Sequence, residues 1–258
     1  MARIHLFEFE DLSWFPSFLR NYGTDFLQFL SNKLKIYRSI IPLLSRAIQH
    51  DGTNRIVDLG SGGGGGWLWL HNELLKERPD LTLVLTDYYP NKSAFTYTSG
   101  LLDNVEYIDQ PVNALDVPSH LKGVRTMFLL LHHFKPRDAK SILQNALDNG
   151  STIAIFEGQE RDLPSIVGML VSPISVLLST PFIRPFKWGR ILFTYLIPIV
   201  PLFVLWDGLV SALRTYSVPE MQALVDDLEH SESYDWEIGK VKSGPGKILY
   251  LLGLPKRS

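Results

Sequence analysis

Cysteine is absent from all 258 residues, which removes disulfides, thiolate zinc sites and cysteine nucleophiles together. A long run of lysine and arginine is missing too, and the formal net charge is only −2. The chain therefore lacks the basic stripe that neutralises a nucleic-acid backbone, and nucleic acid is set aside as a partner. The opening stretch MARIHLFEFEDLSW carries acidic residues where a secretory signal needs a basic end and an unbroken apolar core. A cytoplasmic location is the expectation. One stretch lacks charge altogether, Leu163 to Ile183. What is plentiful is apolar sequence, 45% of the chain, enough for the core of one α/β domain with additions.

The organising stretch is Arg55 to Trp69, RIVDLGSGGGGGWLW. An apolar run, Ile56, Val57 and Leu59, leads into five glycines, Gly62 to Gly66, and then into WLWLHNELLKE, with Leu70, Leu74 and Leu75 on one helical face. A flexible linker would have polar, low-complexity flanks instead. Strand, glycine turn and helix predict a nucleotide-cofactor loop, in which bare backbone N–H groups approach a ligand without obstruction by a Cβ. Gly60, Gly62 and Gly65 satisfy the G-x-G-x-x-G spacing of dinucleotide folds, although a glycine run satisfies almost any spacing.

Residues 1–50 place aromatic and apolar side chains at helical spacing, from Phe15, Phe18 and Leu19 to Tyr37 and Ile41, and predict two or three short helices forming an N-terminal cap. Asp51 to Asn54 is a break, and residues 51–258 are expected to form the main domain. Leu81 to Thr86 reads as a second buried strand closing on Asp87. That aspartate stands one β-α-β unit after the glycines, where nucleotide folds place the carboxylate that accepts both ribose hydroxyls. Further strands are expected at Val105–Ile108, Val124–Leu131 and Ser151–Glu157. An insertion follows over about 158–216. Ser217 with Glu220 then reads as a capping box before a helix and a closing pair of strands, Tyr234–Val241 and Ile248–Leu252.

The order of these features, with Asp58-Leu-Gly60-Ser-Gly62-Gly-Gly64 at its centre, resembles the class I S-adenosylmethionine-dependent methyltransferases of small-molecule type. The resemblance implies a Rossmann-like, doubly wound α/β fold with a seven-stranded, mostly parallel sheet and an antiparallel last strand. It also implies S-adenosylmethionine as cofactor and S-adenosylhomocysteine as product. Carried over residue by residue, the cofactor positions are Asp58, Gly60, Ser61, Gly62, Gly64, Asp87, Tyr88, Asp109, Asn113, Ala114 and Leu131. Where the family often has Gly-Asp-Ala this chain has Val112-Asn-Ala, which leaves Asn113 and Asp109 as alternatives for the adenine amine.

Methyl transfer from a sulfonium needs the acceptor in line, water excluded and, for a hydroxyl or an activated carbon, a proton removed. His132 and His133, after the fourth strand, and Glu157, ending the fifth, are the candidate bases. Adjacent residues on an extended strand face opposite ways, so one histidine at most should face the methyl group. The chain has LHHF where amine and amide methyltransferases carry an acidic residue or asparagine with two prolines. No metal-ligand set can be assembled from the sequence.

The insertion holds two apolar stretches within residues 163–206, interrupted by Pro173, Pro198 and Pro201 and joined by Arg184-Pro-Phe-Lys-Trp-Gly-Arg190. Its expected role is a lid over a hydrophobic small-molecule or lipid acceptor. The other reading is peripheral membrane contact, with Arg184, Lys187, Trp188 and Arg190 at headgroup level. Asp207, Arg214 and Tyr216 would orient the acceptor. Two alternatives accompany the methyltransferase expectation. One is an NAD(P)-dependent oxidoreductase; the other is a cofactor-binding or membrane-docking module without turnover.

Overall fold

A computed structural model describes residues 1–244 and 246–256; the expected domain end at 258 lies outside them. Its strands are β1 (Arg55–Leu59), β2 (Thr82–Leu85), β3 (Val105–Tyr107), β4 (Val124–Phe128), β5 (Ile153–Glu157), β6 (Tyr234–Ser243) and β7 (Gly246–Pro255). They form one sheet in the order β3-β2-β1-β4-β5-β7-β6. Strands β1 to β5 pair in parallel, with Val57 opposite Val84 on one side and Arg125 on the other. Strand β7 runs antiparallel to both its neighbours. This is the Rossmann-like, doubly wound architecture with an antiparallel last strand.

Side chains alternate across each strand, and the two faces bury separate cores. Val57, Leu59, Ile153 and Ile155 pack with helices α5 (Pro136–Asp148) and α10 (Val218–Asp226). Ile56, Leu83, Ala154 and Phe156 pack with α2 (Ile41–Asp51) and α3 (Trp67–Leu75). A side chain such as Phe156, fully buried, contributes about 1.5–3 kcal/mol relative to exposure. The capping box at Ser217 and Glu220 starts α10.

The first fifty residues serve two layers. Tyr37, Ile40, Leu44 and Ile48 belong to the core under the sheet. Helix α1 (Ser17–Lys33) belongs elsewhere, and its Leu19, Tyr22 and Phe26 form a third core with Val176, Ile183, Val200 and Phe203 of the insertion. The insertion itself consists of α6 (Leu163–Leu170), α7 (Ser172–Ser179), α8 (Trp188–Ile191), a π-helical turn (Leu192–Leu196) and α9 (Ile199–Arg214). Among the described residues no single helix is long and apolar enough to cross a membrane.

Strand β4 ends three residues earlier than the run VRTMFLLL suggests. Leu129 turns the chain with φ of 52°, and Leu131–His133 forms a 3₁₀ turn. Apolar content continues past the strand because this turn is buried as well. The strand alternation expected for the two histidines therefore does not apply; their rings lie side by side, 4.3 Å between centroids.

Candidate active site

The glycine loop leaves β1 through Gly60, whose φ of +65° strains any larger residue; a Cβ there would also meet the Leu130 side chain at 2.5 Å and require it to shift. Further along, the glycines accommodate protein as well as a cavity. At Gly63 a Cβ would come within 2.5 Å of the Thr24 carbonyl oxygen, because α1 lies directly across the loop. Side chains of α1 hold it there. Gln28 donates to the Gly63 carbonyl and, at 3.0 Å, to Thr98 Oγ1, while Asn32 donates to the Gly65 carbonyl at 2.7 Å and accepts from the Trp69 N–H at 2.8 Å. Gly64, expected at the cofactor, lies off the cavity beneath Gln28 and Thr98.

Beside the loop is a cavity of about 570 Å³, within the usual range for small-molecule sites. Gly60, Ser61, Gly62, Asp87, Tyr88, Asn113 and Ala114 line it. Asp87 is positioned by the backbone, accepting from the N–H of Gly62 and of Tyr89, each at 2.7 Å. Each carboxylate oxygen retains acceptor capacity toward the cavity, which fits a ribose diol. Withdrawal from water raises the pKa of Asp87 above the ordinary carboxylate value.

Other sequence candidates stand apart from this wall. Asp58 is buried behind it, accepting from Ser61 Oγ at 2.7 Å and Thr126 Oγ1 at 2.6 Å. Burial pushes it up to about 6 against the pull of those bonds. Its short polar side chain joins β1, β4 and the loop. Asp109 is exposed and paired with Lys92 at 3.1 Å, so of the two adenine alternatives only Asn113 borders the cavity. Leu131 is a core residue; Leu129 and Leu130 line the cavity in its place.

The candidate bases divide. His132 is buried, its Nδ1 2.8 Å from Glu157 Oε2, and Glu157 also accepts from the His132 N–H at 3.2 Å. Both lie behind the wall because the 3₁₀ turn folds His132 back onto β5. His133 reaches the cavity, with Nδ1 2.7 Å from Asp11 Oδ1. Burial alone would depress its pKa, but the charges of Glu8 and Asp11 and the Asp11 hydrogen bond prevail and push it up to about 10. His133 thus carries a proton at neutral pH.

The sequence reading missed Glu8, Glu10 and Asp11. Glu10 and Asp11 line the cavity, and burial together with the nearby Asp207 pushes Glu10 up to about 8. The signal was visible as EFED, three acids within an aromatic stretch. Arg214 lines the cavity, 2.9 Å from Glu8 and 2.6 Å from Asp11. Asp207 lies off it and accepts from the N–H groups of Phe9 (2.8 Å) and Glu10 (3.1 Å). Tyr216 donates to the Phe134 carbonyl at 2.8 Å beneath the Arg3 guanidinium. Asp207 and Tyr216 thus hold the N-terminal segment rather than an acceptor.

No protein-family profile matches this chain, and neither does any curated protein sequence. Solved structures do match in shape. The plantazolicin methyltransferase BpumL in complex with a triazolic desmethylPZN analog and SAH is 14% identical, with 93% of this chain and 97% of that one covered at a TM-score of 0.53. The same enzyme with a pentazolic analog and SAH is 14% identical, with 93% and 99% covered at 0.51. The fold is that of the class I S-adenosylmethionine-dependent methyltransferases.

Proposed function

We propose that this chain is an S-adenosylmethionine-dependent methyltransferase that methylates a hydroxyl or an activated carbon of a hydrophobic small molecule or lipid, and that it works in the cytoplasm. The observation that carries the reading is the Asp87 carboxylate, held on the cavity wall by the N–H of Gly62 in the glycine loop. That pairing unites the two features a nucleoside-bearing cofactor requires, a ribose acceptor and a backbone surface free of side chains.

When bound, the cofactor supplies an electrophilic methyl on a good leaving group and departs as S-adenosylhomocysteine. The rest falls to this chain. Asp87 would hold the ribose, Gly60 to Gly62 would let the cofactor's tail approach the backbone, and Asn113 with Ala114 would border the adenine. The remaining wall includes Leu27, Leu115, Phe128, Leu129, Leu130 and Phe134, which suits an apolar acceptor and excludes water. Glu10 lines the cavity and would be its proton acceptor, its base form growing in as pH rises through about 8. His133, kept cationic by Glu8 and Asp11, would stabilise negative charge developing on the acceptor.

Transfer of labelled methyl from S-adenosylmethionine to a panel of apolar phenols, enols and hydroxylated lipids tests the reading. Label should enter the organic phase with an apolar acceptor and not with a charged one. Cofactor binding without transfer to any acceptor would leave a binding module.

A further inference from the structure

Residues 163–206 carry more than half of the exposed large apolar side chains among the described residues. A core helix or a lid would bury them. Yet α6 has no buried residue, and α7 has only Val176. Leu178, Leu196 and Trp188 are 69%, 76% and 78% exposed. Only the inward face of the insertion, through Val176, Ile183, Val200 and Phe203, is covered by α1. The apolar surface continues onto the N-terminal segment, since Phe18 lies 5.3 Å from Phe193 and Phe7 lies 5.2 Å from Trp206, ring to ring.

We infer that this outward face docks peripherally on a lipid bilayer. Two helical pairs have the length and composition of a bilayer segment, yet they bend by 43° and 79°. Bends of that size break the straight axis of a simple spanning helix, and both pairs can lie shallowly in one leaflet. Exposed Trp14, Trp188 and Tyr195 supply the amphipathic rings that favour the headgroup level.

Charge favours lipid over a protein partner. Between residues 163 and 206 the charged side chains are Arg184, Lys187 and Arg190, with no acid. Lys187 and Arg190 turn inward to Asp25, at 2.8 and 2.6 Å, which removes them from the headgroup role expected of them. Arg184 stays exposed. The outward charge of residues 163–206 is therefore the single cation Arg184, which complements anionic lipid, and these residues offer few of the hydrogen-bonding groups that a protein interface carries at about one bond per 100–200 Å². Docking also supplies a source for a hydrophobic acceptor, a part of the inference that rests on the methyltransferase reading.

Co-sedimentation of the full chain with phosphatidylcholine vesicles, with and without phosphatidylglycerol, tests the docking. The protein should pellet with both kinds of vesicle and more completely with the anionic ones. Leu178→Glu combined with Leu196→Glu, two exposed positions, should lower the partition coefficient by at least about tenfold while S-adenosylmethionine affinity stays unchanged. Wild-type protein remaining in the supernatant, or a variant that pellets equally, would overturn the inference. So would a vesicle-free dimer, seen by sedimentation velocity, that the same substitutions dissociate. Cofactor affinity is read separately, so loss of docking and failure of the methyltransferase reading give different results.

Discussion

At the scale of single residues, the chemistry rests on where a proton sits. Glu10 and His133 share the cavity wall, and their surroundings move both toward the protonated form: burial and the neighbouring Asp207 for Glu10, the Glu8 and Asp11 carboxylates for His133. Glu10 is then mostly protonated at pH 7 and becomes a base as pH rises through about 8, while His133 keeps its proton up to about 10. Glu10→Gln preserves shape and removes basicity, so it is expected to lower kcat about a hundredfold to ten-thousandfold with cofactor affinity unchanged. A kcat within twofold of wild type would remove Glu10 from the mechanism.

Asp58 gives a residue-scale test of stability. Its folded pKa of about 6 stands above the ordinary 3.8, so the folded state binds the proton more tightly. The associated stability is fully present below the unfolded pKa and is lost as pH rises through about 6, by at most about 3 kcal/mol. Asp58→Asn does not titrate. The stability of wild type relative to this variant, from urea unfolding, should therefore fall between pH 4 and pH 6.5; a difference constant with pH would contradict the assignment.

At the scale of elements, the distinctive contact is α1 lying across the glycine loop. Gly63→Ala forces a methyl against the Thr24 carbonyl, and overpacking of this kind costs about 1–3 kcal/mol. Cofactor affinity should fall with it, since the loop must shift. Gly168, within α6, has open space around the position of a Cβ, and Gly168→Ala should instead stabilise by about 0.5–1 kcal/mol. Equal thermal shifts for the two variants would mean that α1 does not clamp the loop.

Elements formed by local pattern were legible before the structure. The strand, glycine and helix sequence at Arg55 to Leu75 and the carboxylate at Asp87 are written in consecutive residues, and so is the capping box at Ser217. Contacts between distant segments were not. The Asp11–His133 pair joins residues 122 apart in sequence, and no spacing within either EFED or LHHF reveals the other. The end of β4 was misplaced for a different reason: Leu129 to Leu131 are as apolar as the strand they follow, so composition carries no mark of the turn. The position of Asp109 was equally hidden, because its pairing with Lys92 depends on how α4 (Lys92–Ser99) sits beside β3.

At the scale of the whole molecule, the sheet supplies a rigid edge and two remote segments close over it. The N-terminal segment contributes Glu10 and Asp11, and the insertion contributes Arg214 together with Asp207, which holds Phe9 and Glu10 by their backbones. Neither segment completes the cavity wall alone. The measurement that tests this account most directly is calorimetric binding of S-adenosylmethionine, S-adenosylhomocysteine and NAD to the purified protein, with Asp87→Ala beside it. Micromolar binding of the first two and not of NAD is expected. The variant should bind about ten- to a hundredfold more weakly, through loss of hydrogen bonds to a charged acceptor. Binding of NAD alone, or an Asp87→Ala variant with unchanged affinity, would contradict it.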